Sequence, residues 1–267
     1  MARLAGPSPE LPSIPNLRDV GGRRTRDGAR VRTGLLYRSS ALHRLDPAHG
    51  SILRGLGIRT VYDLRTEHER TADPDRLAPS IEYVAVDVIG DAAVGGPAEL
   101  IAILSSPEAT RAGLGEGRGV ELWRRHYRQF VALDSARAAY GRLFADLADG
   151  SRGPALVHCT TGKDRTGWAV AALLTFLGVA DDDVMDDYLQ SNLHLRPFVD
   201  RVLGEFAARG GDPGLLQPIV TVRPAYLEAA RDELRRTFGT IEAYVATGLG
   251  IDAARRRALR EAFLERG

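Results

Sequence analysis

The chain has 267 residues, 44% of them hydrophobic and 27% charged, which is enough apolar material for a sizeable core and ordinary for a globular protein. A formal charge of +1 excludes a global electrostatic pull toward nucleic acid or a membrane surface, so any anion site has to be built locally. The longest apolar stretch, Trp168 to Ala180, falls short of the about 20 residues that span a bilayer, and the start of the chain lacks the apolar run of a signal peptide, so a cytoplasmic protein with no integral membrane segment is expected.

Residues 1–15 contain four prolines and read as an extended arm. Residues 16–267 are expected to form a single domain. It opens with the turn-rich Asn16 to Gly22 and a short strand at Gly34 to Arg38. Asp46 before Pro47 is an N-cap signal, and Gly57 is placed to end that helix. Ile58 to Leu64 and Ile81 to Val88 read as buried strands. Gly90 to Gly119 is a variable insertion, rich in Gly, Ala, Ser and Pro, with one helical stretch near Pro97 to Leu104; a connection of that length is a functional lid or a disordered insertion. Helices follow at about Val120 to Leu133 and Ser135 to Ala148, then a strand at Ala155 to His158 and a helix at Thr166 to Leu177. The remainder reads as helical, over Asp181 to Asn192, Arg196 to Arg209, Arg223 to Phe238 and Asp252 to Leu264. Strands embedded among helices with long crossovers imply an α/β fold, a three-layer sandwich with a small, mostly parallel sheet and helical additions.

The segment His158 to Gly167, HCTTGKDRTG, holds the only cysteine, Cys159, and the only lysine, Lys163, every other basic residue of the 36 being arginine. One cysteine leaves no internal disulfide and no cysteine metal cluster. Strand, tight loop and helix amino-terminus together make an anion site, because free amides point into the loop and the helix dipole adds positive potential. Gly162 allows a positive φ in the turn and Gly167 lets the helix pack closely. In such a loop a cysteine pKa of about 8.5 can fall to roughly 3.5–7.5. Arg165 stands six positions after Cys159, the C-x5-R spacing, and its guanidinium can fork onto two phosphoryl oxygens. Thr166 can donate its hydroxyl to the sulfur, and His158 orients the loop from behind. Cys159, Arg165 and Asp164 are the candidate catalytic residues. Thr160, Thr161, Gly162, Lys163, Asp164, Arg165 and Thr166 are the candidate phosphate-binding residues.

This loop resembles that of the bacterial tyrosine-phosphatase-like family, on the side of its mycobacterial multi-specificity members. The segments NLRDVGG, LYRSSAL, GIRTVYDLR, HYRQF, DDYLQSN and RPAYLEAARDEL resemble the family in the same order, from Asn16 to about Asp252. The resemblance implies a cysteine-phosphatase fold and dephosphorylation through a phosphocysteine intermediate, without a metal or other cofactor. It also implies phosphorylated proteins or peptides as partners, with phosphoinositides among the substrates of the broader members, which share Lys163 and Asp164.

Lys163 either meets a second phosphate or pairs with Asp164. Asp164 either organises the loop or takes part as a general acid. Tyrosine-phosphatase folds place the acid after an earlier strand, where Asp87 and Asp91 stand; of the two, Asp91 is expected to be the better candidate because it sits on the mobile side of the strand end. Asp63 and Arg65 read as a structural ion pair, and Arg38 and Ser39 as scaffold. Tyr188, Ser191 and Asn192 read as a polar brace sharing one helix face, and Arg124, Arg125 and Arg128 as a solvated stripe. His43, His49, His68, His126 and His194 lack metal-ligand spacing.

Overall fold

The computed structural model describes residues 13–92, 103–104 and 106–265. Most of the expected extended arm, and most of the helix expected at 97–104, lie outside them. Five strands form the main sheet: β1 (Arg18–Asp19), β3 (Leu36–Ser39), β4 (Thr60–Asp63), β5 (Glu82–Ala85) and β6 (Ala155–His158). Their order is β1-β3-β6-β4-β5, parallel except for β1. A separate two-residue pairing joins β2 (Arg30–Val31) to β7 (Leu264–Glu265).

Alternation along the strands sends side chains to two faces. Tyr37, Val61 and Leu156 pack with Leu53 of α1 (Pro47–Gly55) and with Ile14, Leu17 and Ile58. Leu36, Tyr62, Ala155 and Val157 belong to the larger core on the other face. There they meet α4 (Arg118–Ala132), α5 (Asp134–Asp149) and α6 (Arg165–Phe176), with α7 (Asp181–His194) and α10 (Pro224–Phe238) further out. Helices on both faces are what a parallel sheet requires. Helix α6 is buried nearly all round, from Thr166 through Leu174, which is why its sequence shows no amphipathic period.

The expected strands and the helices outside the insertion appear, within a few residues of the boundaries anticipated. One expectation is corrected: β5 is not buried. Three of its four residues are exposed, because it lies at the sheet edge with only β4 beside it. Besides the two-residue strands β1, β2 and β7, several further elements were not anticipated. They are α2 (Glu67–Ala72), α3 (Pro107–Leu114), α9 (Pro213–Val220), a single helical turn at Ile241–Ala243 and a π-helical turn at Tyr244–Gly248. Helix α3 starts on a Ser106 cap and buries Thr110 and Leu114, so the described end of the insertion is packed helix rather than loop. Helix α8 (Arg196–Ala208) buries only Val199, in a small cluster with Leu195 and Val220. Among the described residues no helix is long and apolar enough to cross a membrane.

Candidate active site

The register aligns Ser39, His158, Asp63 and Ala85 across the carboxyl ends of β3, β6, β4 and β5. This is the edge at which open parallel sheets bind ligands. The chain leaves that edge at Cys159, turns through residues 160–164 and enters α6 at Arg165. Gly162 has φ +68, and a Cβ there would collide with the Ser39 carbonyl; no other residue type fits that turn. A Cβ on Gly167 would lie 3.2 Å from the Tyr188 ring, so α6 packs closely against α7 at its first turn.

The loop is held by its carbonyls. Asn16 Nδ2 donates to Thr161 O at 3.2 Å and to Gly162 O at 3.0 Å. Arg38 Nη2 donates to Gly162 O at 2.7 Å. Behind them Arg38 Nη1 binds Asp187 Oδ2 at 2.9 Å, and Arg18 bridges Asn16, Asp187 O and Ser191 Oγ. Arg18, Arg38 and Asp187 are all buried. Burial raises the Asp187 carboxyl pKa, but Arg18, Arg38 and Arg23 outweigh it and leave it below its ordinary value. Arg18, desolvated and repelled by Arg38, falls to about 9. With the carbonyls turned outward, the amides of residues 160–164 find no acceptor among the described residues, the condition for an anion cradle.

Cys159 is buried at the base of the cradle, and seven residues on the fully buried Thr166 has a hydroxyl with no hydrogen-bond partner. Arg165 reaches over the loop to a residue that sequence reasoning missed. Its Nη1 and Nη2 both bind the Glu69 carboxylate at 2.7 Å, and Nη2 also binds Thr160 Oγ1 at 3.2 Å. Burial opposes the Arg165 cation, yet Glu69 and the charge of Cys159 hold its pKa above the ordinary value. Glu69 is correspondingly held well below the carboxylate range, burial being outweighed by Arg165. The legible signal was Thr66-x-x-Glu69, a capping box opening α2.

Lys163 and Asp164 pair with each other, Nζ to Oδ2 at 2.6 Å. Lys163 is buried, its ammonium 5.4 Å from the centre of the Trp123 ring. Asp164 Oδ1 accepts from Tyr127 OH at 2.8 Å and Trp123 Nε1 at 3.3 Å, and Tyr188 OH donates to Tyr127 OH at 2.7 Å. Tyr188 and Ser191 thus brace the loop as anticipated. Asn192 does not: it ties α7 to Val222 through both amide atoms. Arg124 and Arg128 pair with Glu121 on the surface of α4.

Beneath the loop, Arg65 binds Asp63 at 2.7 Å and Asp75 at 3.1 Å, and His158 Nε2 stands 2.9 Å from Asp75. Ligand atoms of Asp63, Asp75 and His158 lie within 4.8 Å of one another, spacing that could hold a metal ion. The Arg65 guanidinium already lies against both carboxylates, and the cluster reads as a buried ion-pair support.

The two aspartates after β5 part company. Asp91 is exposed and accepts from Ser135 N and Oγ at the start of α5, which lowers its pKa. It is tied down rather than mobile. Asp87 is half-buried, and burial raises its pKa against the opposing charges of Arg70 and Arg165. A cavity of about 520 Å³ opens beside Thr160 and Thr161, walled by Ile14, Ala41, Leu195 and Phe198.

A model of the tyrosine phosphatase family matches residues 9–265. Among curated proteins, the triple specificity protein phosphatase PtpB of Mycobacterium tuberculosis is 32% identical over 260 residues, covering 88% of this chain and 92% of its own. An inferred tyrosine-protein phosphatase of Cupriavidus necator is 30% identical over 246 residues, covering 92% of this chain and 85% of its own. A tyrosine-protein phosphatase of Nostoc commune is 30% identical over 154 residues, covering 57% and 46%.

Proposed function

The chain belongs to the tyrosine phosphatase family, and from that membership we propose a metal-independent cysteine phosphatase that hydrolyses phosphotyrosine and other phosphomonoesters through a phosphocysteine intermediate. The observation that carries this reading is the loop itself: a buried cysteine at the mouth of β6, five amides without acceptors, and Arg165 fixed above them. A structural cysteine ahead of a helix has no use for the unpaired amides or for the arginine.

In this reading the Cys159 thiolate attacks phosphorus in line. A sulfur–phosphorus bond forms as the ester oxygen leaves, taking a proton. Arg165 and the loop amides hold the equatorial oxygens, where charge develops. The unpartnered Thr166 hydroxyl is free to donate to the sulfur. Water then attacks the phosphocysteine, releasing inorganic phosphate and regenerating the thiolate. Asp87 is the better source of the departing proton, because its raised pKa favours the protonated form and it stands within the field of Arg165. Asp164, saturated by three donors, serves the shape of the loop, and Lys163 is its counter-ion. Breadth beyond phosphotyrosine is supported by the triple specificity in the name of the mycobacterial relative, and phosphoinositides are included because the loop, with its Lys163 and Asp164, resembles that of the broader members.

The test is hydrolysis of an aryl phosphate, in the presence of chelator, by wild type and Cys159→Ser, followed by phosphotyrosyl, phosphoseryl and phosphoinositide substrates. Chelator-resistant activity lost in Cys159→Ser is expected. Activity that survives Cys159→Ser, or that disappears with chelator, contradicts the mechanism.

A further inference from the structure

The junction between α7 and α8 leaves a space that the proposed reaction does not use. His194 ends α7, Leu195 is buried, and Pro197 in the first turn of α8 sets the path of the next helix. Between this junction, residues 13–17 and the loop after β3 lies the cavity of about 520 Å³. That is within the range of ligand pockets, about 300–1,000 Å³. Two of its residues already serve the cradle. Asn16 holds Thr161 O and Gly162 O, and Thr160 Oγ1 stands 3.2 Å from Arg165 Nη2. A single side chain therefore separates the cavity from the arginine fork, and the next residues of a bound peptide, advancing about 3.3–3.6 Å each, would reach it.

The walls are mostly apolar, with Ile14, Ala41, Leu195 and Phe198 among them. Its charged residues, Arg44, Asp73 and Arg201, are exposed. The Arg201 guanidinium lies 5.7 Å from the centre of the Phe198 ring, which keeps a cation at the edge of the apolar wall. Burial pushes the His43 and His194 imidazoles below their ordinary pKa and toward the neutral form, so at neutral pH two guanidiniums face one carboxylate. Ser40 is buried, and neither its hydroxyl nor His43 Nδ1 has a hydrogen-bond partner. A lipid acyl chain would cover the apolar wall and leave the polar atoms around it without partners. A peptide brings an apolar side chain together with amides and carbonyls, and an acidic neighbour would meet the excess positive charge.

We propose that this cavity is a second subsite for protein substrates, taking an apolar side chain within a few residues of the phosphorylated one, with Arg44 and Arg201 meeting an adjacent carboxylate. This deepens the phosphatase reading and rests on it for the phosphate in the cradle. Phe198 and Ala41 set how much apolar surface is covered. Arg201 sets the preference for an acidic neighbour.

The probes are phosphotyrosyl peptides flanked by glycine alone, by glycine with one leucine scanned over the two positions on either side, and by that leucine followed by glutamate. Their affinities are measured by calorimetry on the full chain carrying Cys159→Ser. No turnover is needed, so a failure of the phosphatase reading, seen as wild type that leaves aryl phosphate intact, stays distinguishable from a failure of the subsite. At its best position the leucine is expected to tighten binding roughly 10-fold over glycine. Glutamate should add a further few-fold that salt screens away. Adding Phe198→Ala, or Ala41→Leu to fill the space, should bring the leucine preference to within about two-fold. Adding Arg201→Ala should remove only the gain from glutamate. All three variants should bind inorganic phosphate as before, which a generally loosened fold would not do. Leucine peptides that bind no tighter than the glycine peptide at any position, or a preference that survives both cavity variants, overturn the proposal. So does a phosphoinositide micelle that binds more tightly than its soluble headgroup and loses that advantage in Ala41→Leu, since the cavity would then belong to an acyl chain.

Discussion

On one flank of the Cys159 loop, the carbonyls of Thr161 and Gly162 are held by Asn16 and Arg38, and the Arg38 charge closes on Asp187 of α7. On the other, the strand leading to Asp87 is an exposed sheet edge. The flank of the proposed nucleophile is over-determined by buried charge; the flank of the proposed acid has one half-buried carboxylate, Asp87, held by a single backbone amide, Ile89 N at 3.0 Å. The difference has a physical basis. A phosphate cradle must be rigid before substrate arrives, since it replaces water at no cost in reorganisation, whereas the proton donor has to admit leaving groups of different size.

The contrast is sharpest at Asp187. Replacing it with asparagine leaves Arg18 and Arg38 buried without a counter-ion, which should cost about 3–5 kcal/mol, measured by chemical denaturation. Its folded carboxyl pKa is depressed. The stabilisation is therefore complete above the unfolded value of about 3.9 and is lost as pH falls through the folded pKa. Wild type should lose stability on acidification below about pH 4 more steeply than Asp187→Asn. Equal acid limbs would place the loop's support elsewhere.

A change on the other flank should act on rate and hardly on stability. Asp87→Asn is expected to slow hydrolysis of esters with poor leaving groups by on the order of 100-fold and to spare those with good ones. It should also flatten the basic limb of the kcat profile, since Asp87 must be protonated to act. Uniform loss on both ester types would remove it as the acid. Between these extremes, Tyr127→Phe removes one donor from Asp164, which keeps Trp123 and Lys163. A melting experiment should show a loss of about 1–2 kcal/mol, with a smaller effect on turnover. Smallest of all, Asp91→Asn disturbs an exposed contact to Ser135 and should stay within about 0.5 kcal/mol, leaving the leaving-group dependence unmoved.

What the sequence made legible follows the same division. The loop is contiguous, so strand, cysteine, Gly162, Arg165 and helix could be read in a row. The strands β3, β4 and β6 were apolar enough to declare themselves. The supports come from far along the chain: Asn16 and Arg18 lie more than 140 residues before the carbonyls and carboxylate they serve, and nothing in a turn-rich segment announces such contacts. Glu69 sits in a helix of six residues, too short for hydrophobic periodicity, so only its capping box could have pointed to it. The burial expected of β5 failed because an edge position is a property of sheet order, which local pattern does not encode. Asp91 looked free in the sequence because its partner, Ser135, lies 44 residues away.

The central claim is that Cys159 carries the phosphoryl group. Rapid acid quench of wild type with an aryl phosphate, followed by mass spectrometry of the peptide containing Cys159, tests it most directly. A phosphate adduct on Cys159, formed with a burst of about one phenolate per enzyme and absent from Cys159→Ser, is the predicted result. Steady turnover with no burst and an unmodified Cys159 would contradict the account.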